Sequence, residues 1–326
     1  MAIADDVGVV VIGRNEGERL TNCLKSIKAC ASRVVYVDSG SADGSVEFAI
    51  RIGAYAVRLD PSLPFTAARA RNEGFLALKS LYPDIRFVQF IDGDCILVSG
   101  WLEAARTFVT ERKDVAVACG RRRELHPDGS IYNRLCDMEW NTAVGEAEAS
   151  GGDALMRVEA FEAAGLYRAQ LIAGEEPELC LRLRMKGWRI WRLDAEMTLH
   201  DAAMTRFRQW WSRAVRCGYG YADVAWLHRN SPQGIWRRET LRALIWGGSV
   251  PVIIGIGAVG HPAALLGTLV YPLQVCRMAL KDGAHARFAW QRASLVTLVK
   301  FAEFQGILRF LWHKVRRRTA TLIEYK

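Results

Sequence analysis

Two carboxylates one residue apart, Asp92 and Asp94, follow the apolar run 86–91 (Arg-Phe-Val-Gln-Phe-Ile) in this 326-residue chain. The β-branched and aromatic content of that run predicts a buried strand. Both acids therefore leave its carboxyl end, the edge at which open α/β sheets bind ligands. Gly93 between them has no side chain to block a close phosphate. Two hard oxygen donors at this spacing suit Mg²⁺ or Mn²⁺ carrying a diphosphate, although Asp-Gly-Asp alone is also an ordinary solvated turn.

The elements that must position these acids are readable upstream. Residues 7–12 (Val-Gly-Val-Val-Val-Ile) read as a strand, followed by Gly13, Arg14, Asn15 and Glu16 and a helical pattern through Leu20, Leu24 and Ile27. Residues 34–37 form a second strand that runs into Asp38, Gly40 and Gly44, a loop of small residues with exposed backbone N–H groups able to cradle a nucleotide. A plain strand-to-helix turn explains those glycines equally well, but not an acid at each strand tip. A third strand, 55–59, precedes a helix opening at Ala67, on which Arg69 and Arg71 are candidates for bidentate phosphate contact.

Taken in order, Arg14-Asn15-Glu16, Asp38-Ser-Gly-Ser, Ala70-Arg-Asn-Glu-Gly74, Asp92-Gly-Asp94, Gly151-Gly152 through Arg157, and Gly174-Glu-Glu-Pro-Glu-Leu179 with Arg182 and Gly187 resemble the motifs of family-2 glycosyltransferases. The resemblance covers roughly residues 7–220. It implies the GT-A fold, an α/β Rossmann-like mixed sheet flanked by helices, and inverting transfer of a sugar from a nucleotide diphosphate donor. It further implies that Arg14, Asn15, Glu16, Asp38, Gly40, Arg71 and Asp92 hold the donor nucleotide and that Asp94 binds the metal, with His200 able to complete the shell. Glu176 falls where the family carries its catalytic aspartate. The extra methylene of a glutamate is a departure, and Glu175 or Glu178 could share the role. An acid-rich helix start with Pro177 in its first turn is the simpler reading of these three glutamates. In chemical terms, the displacement needs the leaving charge neutralised and a base within about 3 Å of the acceptor hydroxyl.

Eight scattered cysteines without a Cys-x-x-Cys pair read as reduced thiols, and Asp5 and Asp6 stand where a signal peptide would be basic. The net charge of +9 divides unevenly. Residues 1–201 carry 25 Lys+Arg against 30 Asp+Glu, and residues 202–326 carry 19 against 5, so the excess is C-terminal. Nucleic acid is one partner for such a surface. The basic residues flank apolar segments instead of forming a recognition motif, so no nucleic-acid partner is expected.

Residues 243–276, 34 in number, contain no Asp, Glu, Lys or Arg and are divided by His261-Pro262. Each half is near the lower limit for a bilayer span. Basic residues on both sides place both flanks on the cytoplasmic face, which predicts a membrane hairpin at 243–280; two buried core helices are the alternative. Residues 294–318 read as a basic amphipathic helix with Phe301, Phe304, Leu308, Leu311, Trp312 and Val315 on one face, suited to an anionic membrane surface. The expected organisation is a catalytic domain at 1–220 and a helical, membrane-associated appendage at 221–326. The expected activity is metal-dependent transfer to a lipid-linked or saccharide acceptor in polysaccharide or cell-envelope biosynthesis. A sugar-phosphate nucleotidyltransferase fits less well, because the glycine-rich loop after its first strand is absent. A non-catalytic glycan-binding subunit would not need Asp92, Asp94 and Glu176 intact.

Overall fold

The structure, a computed structural model, describes residues 5–283 and 285–316. The chain divides into two compact units, Met1–Ala203 and Met204–Lys326. In the first, strands β1 (Val7–Gly13), β2 (Val34–Asp38), β3 (Tyr55–Arg58), β4 (Phe87–Asp92), β5 (Cys95–Leu97), β6 (Val115–Glu124), β7 (Gly145–Ala147), β8 (Ala154–Arg157) and β9 (Arg189–His200) form one sheet. Their order is β3-β2-β1-β4-β8-β6-β9-β5, with β7 on β9. Helices α1 (Glu18–Lys28), α2 (Ser45–Arg51), α3 (Ala67–Leu81), α4 (Trp101–Glu111), α5 (Ile131–Glu139), α6 (Val158–Ala163) and α7 (Glu175–Met185) complete the unit.

The strands β3 to β4 are parallel, whereas β8 is antiparallel to both β4 and β6, so the sheet is mixed. Covered on both faces, β1 reads as a continuous apolar run, with Val9, Val10 and Val11 fully buried. Register then fixes the site. Gly13 pairs with Asp38 and Ile12 with Asp92, so the tips of β1, β2 and β4 end level. The Gly93 N–H donates to Ile12 O at 2.8 Å and holds the turn there. Strand order reverses between β1 and β4, the crevice at which open α/β sheets take ligands.

The second unit is helical: α8 (Phe207–Leu227), α9 (Arg237–Ala243), α10 (Val250–Gly260), α11 (Val270–Lys281) and α12 (Arg287–Val315). A π turn, Leu244–Ser249, joins α9 to α10, and a 3-10 segment, Pro262–Leu269, precedes α11. The sequence boundary at 220 cuts through α8. The compact units divide instead at Ala203, because α8 packs along α12 within the second unit. Gly218 abuts the backbone of Glu303 there and Gly306 the backbone of Val215 and Tyr219, with no room for a Cβ on either. This close crossing also revises the expected amphipathic helix. It starts at Arg287, and its Ala302, Gly306, Ile307 and Phe310 are buried. Glu303 is buried as well and bonded to Lys300 Nζ at 2.6 Å. Leu308, Leu311, Trp312 and Val315 remain exposed. Residues 317–318 of the expected helix lie outside the described residues.

Arg237–Gly260 and Pro262–Lys281 are each long and apolar enough to cross a membrane. Their most apolar stretches are only 17% and 6% buried, unlike the core helices offered as the alternative. Ile253, Ile256 and Val259 stand 68%, 70% and 91% exposed.

Candidate active site

Asp92, at the tip of β4, sits between two guanidinium groups. Arg71 of α3 donates to Oδ1 at 2.9 Å and Arg122 of β6 donates to Oδ2 at 3.0 Å. Its own backbone N–H donates to Asp153 Oδ1 at 3.0 Å, and Thr198 fixes the other oxygen of Asp153 at 2.7 Å. Burial alone would raise the Asp92 carboxyl, but Arg71 and then Arg122 outweigh it and hold the group well below the usual carboxylate range. Asp92 is therefore a fixed anion.

The same Arg71 gathers the glutamates of α7. Its Nη1 lies 2.8 Å from Glu175 Oε1 and 3.0 Å from Glu176 Oε1. The helix begins after Gly174, at φ 83°, and its first turn carries all three acids. The three are not equivalent. Glu178 is fully buried and bound by Arg168 at 2.7 Å and by both oxygens to Arg182, which makes it a structural anchor. Glu175 is buried against Arg71. Glu176 keeps some exposure, 15% of its side chain, and its carboxyl is pushed up to about 7 by burial and then by Glu175, against the pull of Arg71. A carboxylate with that value takes a proton well near neutral pH.

Gly152 lies over this assembly. A Cβ there would fall 2.5 Å from Arg71 Nη2, 3.1 Å from Asp92 Oδ2 and 3.2 Å from Glu176 Oε1. One small residue therefore looks onto the strand-tip acid and the candidate base at once.

Asp94, at the turn into β5, is brought to His200 by strand pairing, since β5 lies antiparallel to β9 with Cys95 opposite His200. His200 Nε2 is 3.3 Å from Asp94 Oδ2, and its Nδ1 faces Glu124 Oε2 at 3.7 Å. Burial, then the charge of Arg122, lowers the imidazole and keeps it neutral, the form that offers a lone pair to a metal. A carboxylate and a neutral imidazole 3.3 Å apart fit one divalent cation, and Glu124 stands behind the ring on the side where a ligating histidine usually meets an outer carboxylate, its Oε2 3.7 Å from Nδ1. The donor set thus fits the implied metal.

The expected nucleotide loops are ordered by one another. Asp38 accepts from Gly40 N, Ser41 N and the Tyr36 hydroxyl, so its carboxylate shapes its own loop. Asn15 Oδ1 accepts from Ala42 N at 2.8 Å and locks the β1 loop to the β2 loop. Glu16 pairs with Arg19 at 2.8 Å, and Arg14 lies over the Phe65 ring. Arg69 turns away from these loops and caps the carbonyls of Asp60 and Leu63. Arg71, expected on the diphosphate side, is 2% exposed, with both its Nη atoms on carboxylates. The sequence reading missed Arg122, Asp153 and Glu124. Arg122 stands in the run Arg121-Arg122-Arg123 of β6, and strand alternation alone could have turned it inward.

Residues 8–163 match the family model for glycosyl transferase family 2. The succinoglycan biosynthesis protein ExoA of Rhizobium meliloti is 29% identical over 197 residues, 54% of this chain and 55% of that protein. The chain thus spans about half the length of this curated relative. Among solved structures, the mannosyltransferase PcManGT of Pyrobaculum calidifontis aligns with a TM-score of 0.65 at 17% identity, over 95% of this chain and 88% of its own. A 1-349 fragment of TarS from S. aureus aligns at 0.55 and 12% identity, over 96% and 92%. The mixed sheet, its level strand tips and these matches define a glycosyltransferase domain of the GT-A fold. The match over residues 8–163 covers a little under half of the chain and supports a family-2 glycosyltransferase.

Proposed function

We propose that this protein is an inverting glycosyltransferase that moves a sugar from a nucleotide diphosphate donor to a hydroxyl of a lipid-linked or saccharide acceptor. The observation that carries the reading is Arg71, which holds the strand-tip Asp92 and the candidate base Glu176 in one guanidinium grip. In this reading Asp38 and the Arg14–Glu16 loop with Gly40 receive the nucleoside, and Asp92 faces its ribose or the cation. Asp94 and His200 hold Mg²⁺ or Mn²⁺, which when bound neutralises charge on the diphosphate. PcManGT was solved with GDP-Man and Mn²⁺, which supports the same class of donor and cation here.

Glu176 accepts the acceptor hydroxyl proton on a carboxylate oxygen. Its charge is kept available by a carboxyl balanced between Glu175 and Arg71. Attack from the face opposite the leaving diphosphate inverts the anomeric carbon. Arg71 prevents the acids of α7 and β4 from repelling one another, and so keeps base and donor site in register.

The two exposed apolar helices support placement on a membrane, with the catalytic unit on its cytoplasmic face. The succinoglycan role of ExoA supports an acceptor in envelope or surface polysaccharide assembly.

The test is a thermal-shift panel of nucleoside diphosphates with and without Mn²⁺, followed by donor hydrolysis. A ligand at 100 times its Kd adds about 2.7 kcal/mol of stability. Stabilisation by one base, dependent on Mn²⁺, is the expected result. No divalent-dependent response to any nucleotide would sink the reading.

A further inference from the structure

Cys95 follows Asp94 directly and stands opposite His200 in the β5–β9 pair. Asp94, Cys95 and His200 are all buried, and their ligating atoms lie within 4.8 Å of one another. Asp94 Oδ1 is 3.6 Å from Cys95 Sγ, and Asp94 Oδ2 is 3.3 Å from His200 Nε2. A tetrahedral zinc with bonds of about 2.0 Å to oxygen and nitrogen and 2.3 Å to sulfur separates its ligands by about 3.3 Å (O to N) and 3.5 Å (O to S). The thiol and the imidazole approach different oxygens of the Asp94 carboxylate at spacings of this size, so the three side chains are gathered closely enough to take one cation.

We propose that Asp94, Cys95 and His200 form a binding site for a thiophilic divalent cation, Zn²⁺ or Cd²⁺, that shares two donors with the Mg²⁺/Mn²⁺ site and so competes with it. Three features favour the soft ion. Hard cations choose oxygen, whereas sulfur and imidazole select zinc-like ions, and zinc binds mixed donor sets more tightly than manganese. Cys95 and His200 stand opposite each other on paired strands, which brings a sulfur and an imidazole nitrogen into the same buried cluster. Glu124 Oε2 lies 3.7 Å from the far ring nitrogen of His200, on the side where zinc sites place an outer carboxylate. On binding, the cation replaces the thiol proton, which passes to solvent, and a metal–sulfur bond forms without any change of oxidation state. The competition rests on the metal reading above; formation of the thiolate site does not.

The experiment is a titration of the full-length protein with Cd²⁺, read as the ultraviolet thiolate-to-metal charge-transfer band. Cys95→Ser and Cys95→Ala are compared, and melting curves without metal establish that each is folded. The wild type should gain a band that both variants lack, and Cd²⁺ affinity should fall in them at least about 10–100-fold, the loss typical of outer-shell partners alone. Cys23→Ala should keep the band. Its Sγ contacts the Asp92 carbonyl and lies outside the Asp94, Cys95 and His200 cluster. Mn²⁺ binding, followed by electron paramagnetic resonance, should survive in Cys95→Ser and be displaced by Cd²⁺ in the wild type. A band of equal size in wild type and Cys95→Ser, or equal Cd²⁺ affinities, overturns the proposal. Loss of Mn²⁺ binding in every form, with the band intact, would instead count against the hard-metal reading alone.

Discussion

Arg71 Nη1 stands 3.0 Å from Glu176 Oε1, joining the helix that follows β3 to the one that follows β8 and α6. The side chain is 3% exposed and both its Nη atoms lie on acids, so it organises the site from behind.

Glu176→Gln should lower kcat by roughly 10²-fold or more while leaving donor affinity within a few-fold, the signature of a lost general base. Steady-state kinetics with direct donor binding checks this. If Glu175→Gln gives that split instead, the base is Glu175.

The pH profile follows from the same carboxyl, raised to about 7. The active form is the anion, so kcat should rise with pH through a midpoint near 7 and flatten above it. Stability runs the other way. The folded value lies above the ordinary 4.5, so the native state binds the extra proton between the two, and stability is lost as pH rises toward 7. Glu176→Gln should be more stable than wild type at pH 8 and nearly equal to it below pH 4.5, by denaturant titration without metal.

Asp94→Ala should abolish metal-dependent turnover and make nucleotide binding indifferent to Mn²⁺. Calorimetric titration with Mn²⁺ reads this directly, and retained metal-dependent turnover would show that Asp94 is not a ligand.

Glu178→Gln should act on the fold and not on the chemistry. Removing one partner from a buried ion pair costs about 3–5 kcal/mol, and Arg168 and Arg182 would both lose theirs. The midpoint of denaturation should drop sharply while nucleotide affinity of the folded protein holds.

Gly152→Ala tests the closeness of the assembly. Its Cβ, 2.5 Å from Arg71 Nη2, must push the guanidinium off Asp92 or Glu176. Transfer should fall with modest change in stability; full activity would mean that the segment carrying Gly152 relaxes freely.

The strand-tip acids were legible because period and turn residues report where a buried strand stops. Asp92 and Asp94 needed only that local information, as did the acid-rich start of α7. Arg122 and Asp153 were not legible, since what places them is the pairing of β4 with β8 and the bulged register of β6 on β9. A single sequence does not state register across strands so far apart. Arg71 was legible as a candidate but its carboxylate partners were not, because a sequence shows an arginine near loops expected to hold phosphate and not the acids that reach it. The expected break at 220 differs for a related reason: Gly218 is a helix-crossing residue only once the backbone of Glu303 is known to lie against it.

The π turn at Leu244–Ser249 has its own consequence. Such a turn holds one residue more than the α turn it replaces. Excising one residue from it leaves a uniform α-helix whose later side chains keep their directions. Excising one anywhere else in Arg237–Gly260 swings everything downstream by about 100° around the axis. The helix therefore carries a single slack link, and a gene coding for it can lose one codon there, and nowhere else along the segment, without turning its apolar surface away.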